Sequence, residues 1–457
     1  MYAADTIAAI ATPPGAGGIG IVRVSGPLAL TIAQRVFRGN GDGAGWESHR
    51  LYHGRVVDAA GKPLDDALAV LMRAPRSYTG EDVVELHCHG SPVALHDVLR
   101  ATLAYGARLA EAGEFTRRAF LNGRLDLAQA EAVIELIRAR SEAGATMAAE
   151  QLLGRLSRTL DEIRSALLDI RAQLEVQIDF SEEDVAVDQQ RLASDIGLAR
   201  EQVLALLSSY RQGKLARDGL RVTIAGKPNV GKSSLLNALL SEERAIVTAI
   251  PGTTRDTLEE TVNFDGFPVV LADTAGLREA SDPVEEIGVR RAHAKLADAD
   301  VVIAVFDTSR PWEREDDQVL RAVAARTAVA VLNKSDLPSL FGPGRIQESL
   351  GRAVVLRLSA RTGAGLDQLR VAVVRGAAGQ PEAGGDRPTI TLVRHRDALE
   401  RVAESLELAL EGVRGRLAPE LVAVDVQNAA DHIGSITGTI TSEDVLDRIF
   451  SEFCIGK

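Results

Sequence analysis

The stretch Gly226-Lys227-Pro228-Asn229-Val230-Gly231-Lys232-Ser233 sets glycines, a lysine and a hydroxyl in the order that wraps a chain around a phosphate. Glycines let backbone N–H groups close on an anion, and a helix that follows points its positive end at it. In such a loop Asn229, Val230, Gly231, Lys232, Ser233 and Ser234 line the phosphates. Lys232 pairs with the β- and γ-phosphates, and the Ser233 hydroxyl ligates Mg²⁺. A glycine-rich turn with a solvated lysine is common, so this stretch alone does not carry the reading.

Its companions do. Asp273-Thr274-Ala275-Gly276 closes a strand-like run, where Asp273 reaches the metal and the Gly276 N–H meets the γ-phosphate. Between the two lies Gly252-Thr253-Thr254-Arg255-Asp256, a switch segment that offers Thr254 to Mg²⁺. Asn333-Lys334-Ser335-Asp336 follows another strand, and the Asp336 carboxylate accepts two N–H bonds from the Watson–Crick edge of guanine. Ser359-Ala360-Arg361 completes the base pocket. Five such motifs in this order define a GTP-hydrolysing switch. One part is missing. Many such switches orient the attacking water with a glutamine just after Asp-x-x-Gly, and here that position is Leu277. Glu279, Asp282, Glu285 and Glu286 are the nearby polar candidates.

These motifs need a doubly wound α/β sheet to hold them, and the sequence supplies its alternation. Strand-like runs at Leu220–Ala225, Glu260–Phe264, Pro268–Ala272, Asp300–Phe306, Ala328–Leu332 and Val354–Leu358 alternate with helical ones. The helical runs are Lys232–Leu240, Val284–Leu296, Asp316–Ala325 and Leu366–Val374. Asp265-Gly266 marks a hairpin. This Ras-like P-loop domain, residues 217–379, interrupts a helical sequence. Before it, in 121–216, Leu156, Leu160, Ile163, Leu167, Ile170, Leu174 and Ile178 form one apolar stripe, and a second helix runs from about Leu192 to Tyr210. After it, in 380–457, Leu399, Val402, Leu406, Leu410, Val413 and Leu417 continue the pattern. One helical bundle split by an insertion is the economical arrangement. Residues 1–120 mix strands and helices, an α+β domain, so the whole is a multidomain α/β and α+β chain.

Two smaller signals resist a functional reading. Gly15-Ala16-Gly17-Gly18-Ile19-Gly20 spells a dinucleotide fingerprint, yet it leads into the β-type run Ile19–Val24 rather than a helix. Glu85, His87 and His89 share a strand face and imitate a two-histidine-one-carboxylate set, but no further ligand motif accompanies them. Cys454, close to the end in Phe453-Cys454-Ile455-Gly456-Lys457, fits a surface thiol or a catalytic one equally well by spacing. A helix capped by Ser442 precedes it.

Composition narrows the class. The apolar fraction of 46 % supports packed cores and excludes a disordered chain. A net charge of −12 and 4 % aromatics argue against a base-stacking nucleic-acid coat. If RNA is a partner, a second protein is expected to supply much of the grip. Cys88 and Cys454 cannot form a disulfide framework. No leader or spanning segment is read, so a soluble, cytoplasmic protein is expected.

Over its whole length the sequence resembles the bacterial tRNA-modification GTPase family MnmE (TrmE). The resemblance is carried by Asp5-Thr6-Ile7, Ala11-Thr12-Pro13-Pro14-Gly15, Tyr78-Thr79-Gly80-Glu81-Asp82, Gly113-Glu114-Phe115-Thr116 and Ala119-Phe120-Leu121-Asn122. Leu125 to Glu131, Asp273 to Ser281 and the terminal Phe453 to Lys457 add to it. The resemblance implies a homodimer that joins an FAD-dependent partner, MnmG (GidA), and modifies C5 of the wobble uridine (U34) of certain tRNAs. The product is of the carboxymethylaminomethyluridine type. The one-carbon unit would come from a tetrahydrofolate, the 5-formyl or 5,10-methylene form, in the N-terminal domain. By match, Arg23, Glu85, Arg124 and Lys457 are the folate contacts, with arginine at 124 where the family's residue is lysine. Cys454 matches the cysteine needed for modification. The resemblance also implies activation by K⁺, with Asn229, Thr248, Ile250 and Thr253 around the ion and Thr248 counted in the nucleotide site. Glu285 matches the residue that orients the water.

Two rival classes remain on sequence grounds. A ribosome-assembly GTPase would lack one-carbon chemistry and usually carries a basic RNA-binding module, which is not found here. A membrane-remodelling or transport GTPase is disfavoured by the lack of a spanning segment.

Overall fold

The computed structural model describes residues 5–39, 45–139, 141–179, 188–241, 259–264, 266–273, 298–351, 353–378 and 388–457. The chain forms two compact units. The first takes in Met1–Ile134, Gln151–Val187 and Ala418–Lys457, and the second Glu135–Glu150 and Asp188–Leu417.

The first unit is built on a seven-stranded sheet. Its strands are β1 (Ile7–Ile10), β2 (Gly17–Ser25), β3 (Phe37–Gly39), β4 (Leu51–Val57), β5 (Pro63–Met72), β6 (Val83–Gly90) and β7 (Arg108–Leu109). They lie in the order β3-β4-β5-β6-β2-β1-β7. Strict alternation in β2 and β6 sends Val22, Val24, Val84 and Leu86 to one face. There they pack with Ile32 and Val36 of α1 (Ala29–Val36) and Leu95 and Val98 of α2 (Pro92–Ala104). The same alternation turns Arg23, Glu85 and His87 to the opposite, half-buried face. Gly17 and Gly20 sit inside β2, so the GxGxxG stretch forms a strand and not a phosphate-binding turn.

Three helices follow: α3 (Glu114–Leu121), α4 (Leu127–Arg138) and α5 (Glu142–Leu152). Then α6 (Arg155–Asp179) buries the expected stripe from Leu156 to Leu174, with Ile178 half-buried at its end. In the second unit α7 runs Gln189–Asp218. It is longer than the expected Leu192–Tyr210, because Leu215 and Ala216 continue into the core and Gly219, at φ 81°, is what ends it.

The second unit's six-stranded sheet uses β8 (Leu220–Ala225), β9 (Glu259–Phe264), β10 (Phe267–Asp273), β11 (Val301–Asp307), β12 (Ala328–Asn333) and β13 (Val354–Arg357). The order is β13-β12-β11-β8-β10-β9, parallel except for the β9–β10 hairpin. Strand β11 is buried at every position, as a central parallel strand must be. Its helices among the described residues are α8 (Lys232–Ser241), α9 (Arg314–Val323), α10 (Gly344–Leu350) and α11 (Leu366–Ala378). The expected helix at Val284–Leu296 lies outside the described residues.

Helix α12 (Val393–Arg414) packs along α7, and in the first unit α13 (Pro419–Thr437) packs along α6. Leu417 does not extend the α12 stripe: the helix stops at Arg414, Arg416 adopts φ 54°, and Leu417 is exposed in the connection. In α14 (Glu443–Ser451), Ser442 occupies the N-cap position but its side chain makes no capping hydrogen bond. The helix is held instead by Leu446 and Phe450, packed with Phe453 and Leu127.

Candidate functional site

The phosphate loop joins the end of β8 to the start of α8, the position where strand and helix converge on an anion. Gly231 has φ 100°, and a Cβ there would lie 2.3 Å from Asn333 Nδ2, so only glycine fits. Asn229 also turns left-handed, at φ 63°. The Lys232 ammonium is buried at the mouth of the loop and donates to the carbonyls of Gly226 (2.8 Å) and Lys227 (3.0 Å). Ser233 and Ser234 are exposed at the first turn of α8, and Val230 is buried beneath it.

Asn333 stitches this loop to the one that carries Ser359 and Ala360. Its Nδ2 donates to the Val230 carbonyl (2.8 Å), and its Oδ1 accepts the Ala360 N–H (3.1 Å). Lys334, at φ 63°, reaches Asp307 Oδ2 (2.6 Å) and the Asn229 carbonyl (3.3 Å). Asp307 ends β11 buried, and Ser309 holds it through N–H and hydroxyl. Burial raises the Asp307 carboxyl, but the Lys334 and Ser309 hydrogen bonds outweigh it and leave the group below the usual aspartate range. Asp336 accepts the Ser359 hydroxyl (2.7 Å), and that bond lowers its pKa further into the ionised range. Arg361 is exposed beside it and adds positive charge.

The structure therefore gathers Asn229, Val230, Gly231, Lys232, Ser233, Ser234, Asn333, Lys334, Asp336, Ser359, Ala360 and Arg361 around one end of the sheet. Asp273 is the last residue of β10, in register with Ile224 of β8, and its side chain is not among those described. Thr248, Ile250, Thr253, Thr254, Thr274, Ala275, Gly276 and Glu285 lie outside the described residues, as do Glu279, Asp282 and Glu286. Asp307 is a member of this cluster that motif reading missed. Its signal was an acidic residue closing a wholly apolar strand.

A second cluster lies on the open face of the first unit's sheet. Arg23 and Glu85 are cross-strand partners on β2 and β6, bonded at 2.8 Å. The Arg23 guanidinium lies over the rings of Tyr78 (5.3 Å) and Phe115 (5.6 Å). His87 bonds the other Glu85 oxygen at 3.1 Å. Burial raises the Glu85 carboxyl, but the His87 bond and the charge of Arg23 together bring it below the ordinary glutamate range.

The chain's last residues close this cluster. Arg23 Nη1 reaches the Gly456 carbonyl (3.4 Å), and Phe115 N–H donates to the Lys457 carbonyl (3.1 Å). Ile455 bridges Ala112 in strand fashion. Burial lowers the Lys457 ammonium, Arg23 lowers it further, and Glu85 opposes both. Arg124 is exposed, with Nε donating to the carbonyl of Ser77, the residue before Tyr78 (3.1 Å). Cys454 is exposed and unpaired with any sulfur, whereas Cys88 is buried and its thiol is pushed up to about 12. His89 is held by Asp65 (2.7 Å), apart from Glu85 and His87. Among the described residues no group of three or more His, Cys, Asp or Glu side chains could hold a metal ion.

A phosphate loop at a strand–helix junction, stitched by Asn333 to the loops that carry Asp336 and Ala360, defines a P-loop GTPase. The comparisons with known proteins take the assignment further. Residues 6–124 match the family described as GTP-binding protein TrmE N-terminus, and residues 127–454 match the MnmE helical domain. A tRNA modification GTPase MnmE from Chloroflexus aurantiacus is 50 % identical, across 99 % of this chain and 100 % of the relative. The Geobacter sulfurreducens protein of the same name is 47 % identical, across 100 % of both chains. Among solved structures, the G domain of the T. maritima FeoB iron transporter is 30 % identical, covering 35 % of this chain and 98 % of that one with a TM-score of 0.28. The chain belongs to the MnmE family of tRNA modification GTPases.

Proposed function

We propose that this chain hydrolyses GTP in a K⁺-activated reaction and, with the FAD-dependent partner MnmG, modifies C5 of the wobble uridine of certain tRNAs with a tetrahydrofolate one-carbon unit. It would act as a homodimer in the cytoplasm, divided into an N-terminal domain (1–120), a helical domain (121–216 and 380–457) and an inserted G domain (217–379). The observation that supports the GTPase part is the pair of hydrogen bonds at the Asn333 side chain, one to the phosphate loop at Val230 and one from the Ala360 N–H. In that site the Asp336 carboxylate would accept the two guanine N–H groups, and Lys232 would pair with the β- and γ-phosphates.

Hard oxygen donors suit Mg²⁺. The exposed Ser233 hydroxyl is such a donor, with Thr254 as its proposed companion. Asn229, exposed in the loop, is proposed to hold K⁺ alongside Thr248, Ile250 and Thr253. A cation there supplies positive charge against the charge that develops during phosphoryl transfer, the job an arginine does in other switches. Glu285 is proposed to orient the water. The second cluster fits a folate by chemistry: Glu85 accepts N–H groups of a pterin, Arg23, Arg124 and Lys457 suit carboxylates, and Tyr78 and Phe115 offer rings. Bound folate would supply the carbon unit, and Cys454, at the exposed end of the same tail, is the proposed thiol for modification.

The test is nucleoside mass spectrometry of tRNA from a strain lacking the chain, complemented by wild type or Cys454→Ser. Loss of the C5-modified wobble uridine without the chain, restored only by wild type, is expected. Intact modification in the deletion strain overturns the tRNA part. In vitro, Glu285→Ala should bind GTP normally but hydrolyse it on the order of 10²-fold more slowly, and replacing KCl by NaCl should slow the wild type. Indifference to the salt removes K⁺ from the mechanism.

A further inference from the structure

Lys227 stands in the phosphate loop but turns its side chain away from the loop's mouth, onto α9. Its Nζ lies 2.7 Å from Asp316 Oδ2 and 2.9 Å from Glu313 Oε2. Lys227 and Asp316 are buried, whereas Glu313 is 55 % exposed. Solvent screens the exposed pair, so the buried carboxylate dominates. The same Asp316 Oδ2 accepts the Glu313 N–H (3.0 Å), which fixes it in the first turn of α9, where the helix end favours negative charge. The Lys227 carbonyl is in turn one of the two that hold the Lys232 ammonium. A continuous path thus runs from the first turn of α9, through the side chain and backbone of Lys227, to Lys232.

We propose that Asp316 is a positioning residue for the phosphate loop: by tying down Lys227 it holds the carbonyl that aims Lys232. The proposal rests on the reading of Lys232 as the phosphate lysine. Without Asp316 a buried ammonium loses its strongest partner and must move toward another anion or toward water. Either movement drags the Lys227 backbone. Among the described residues Asp316 makes no bond to Asn333, Lys334 or Ser359, which anchor the proposed guanine pocket, so the effect should fall much more heavily on the phosphates than on the base.

That division is measurable in the full-length protein by competition against a fluorescent GDP analogue, with GDP and GMP as competitors. Asp316→Ala and Lys227→Met are each expected to weaken GDP roughly tenfold or more, while GMP, which has no β-phosphate, changes less than about twofold. Because both remove the same link, the double variant should be no worse than the poorer single one. Equal losses for GDP and GMP, or single effects that multiply in the double variant, overturn the proposal. Should Asp316→Ala fail to fold, Asp316→Asn and Asp316→Glu take its place; the glutamate is expected to retain more GDP affinity than the asparagine, and the reverse order counts against the ion pair. Lys232→Ala separates the two levels. If that variant binds GDP like wild type, the underlying reading fails. If it loses GDP while the Asp316 variants do not, only the positioning role fails.

Discussion

The nucleotide site and the cluster around Arg23, the proposed folate site, are assembled differently. Around Lys232 the ligating groups come from short loops at one end of a parallel sheet, and backbone atoms do much of the holding. Lys232 leans on carbonyls within its own loop. Around Arg23 the partners are a cross-strand glutamate, rings from two separate segments and a carbonyl near the far end of the chain. A local loop can be rebuilt on many sheets. A cluster closed by a terminal tail exists only when the whole first unit is folded. The two sites should therefore fail separately and for different reasons.

Asp336→Asn attacks the base pocket where the effect should be greatest. An amide presents a donor where guanine also presents one, and a polar site rejects a mismatched ligand by about 10⁴- to 10⁵-fold. GDP affinity should fall toward that scale while xanthosine diphosphate gains, and folate binding should not change. Calorimetry with the three ligands checks this, and a parallel loss of folate binding would break the separation.

Glu114→Gln probes the frame of the other site. Glu114 is buried, accepts from Arg108 at 2.6 and 2.9 Å and from Arg118 at 3.0 Å, and leaves two arginines short of a partner if neutralised. Arg108 is partly exposed and both arginines keep Asp5, so the loss should fall below the about 3–5 kcal/mol of a wholly buried, unpaired charge, and thermal scans should still show it at neutral pH. Burial raises this carboxyl, but the Arg108 bond and its companions bring it below the ordinary glutamate range. Its stabilisation is accordingly full above the unfolded-state pKa and lost as pH falls through the lower folded value. Wild type should lose stability in that acid window, and the glutamine variant should lack this part of the slope.

Gly456→Ala is the gentlest cut. Gly456 has φ 99°, and a Cβ there would sit 2.3 Å from the Ile10 carbonyl. Displacing the tail should weaken folate binding roughly tenfold and lower tRNA modification while GTP turnover stays at the wild-type rate. Reduced turnover in the isolated full chain would show that the two sites are not independent in this respect.

The same contrast explains how far the sequence could be read. Lys232, Asn333 and Asp336 announce themselves because each sits in a short motif at a strand end, and alternating apolar runs located the strands. Asp316 and Asp307 escaped because their partners lie far away in sequence and each looks like an ordinary helix-cap or turn acid. Arg23, Glu85 and Lys457 were legible only through resemblance, since nothing local says that β2, β6 and the terminal residues meet. The helix limits erred for a related reason. Periodicity reports which residues face the core, but Gly219 and the left-handed Arg416 decide where α7 and α12 stop. Among the described residues no helix is long and apolar enough to cross a membrane.

Equilibrium binding of GDP and ADP to the purified full-length chain, with Lys232→Ala measured alongside, bears most directly on the nucleotide site. Saturable binding of GDP, none of ADP at the same concentrations, and loss of GDP binding in the variant are the expected results. Equal affinity for the two nucleotides, or a Lys232→Ala chain that binds GDP as wild type does, would contradict the account at its root.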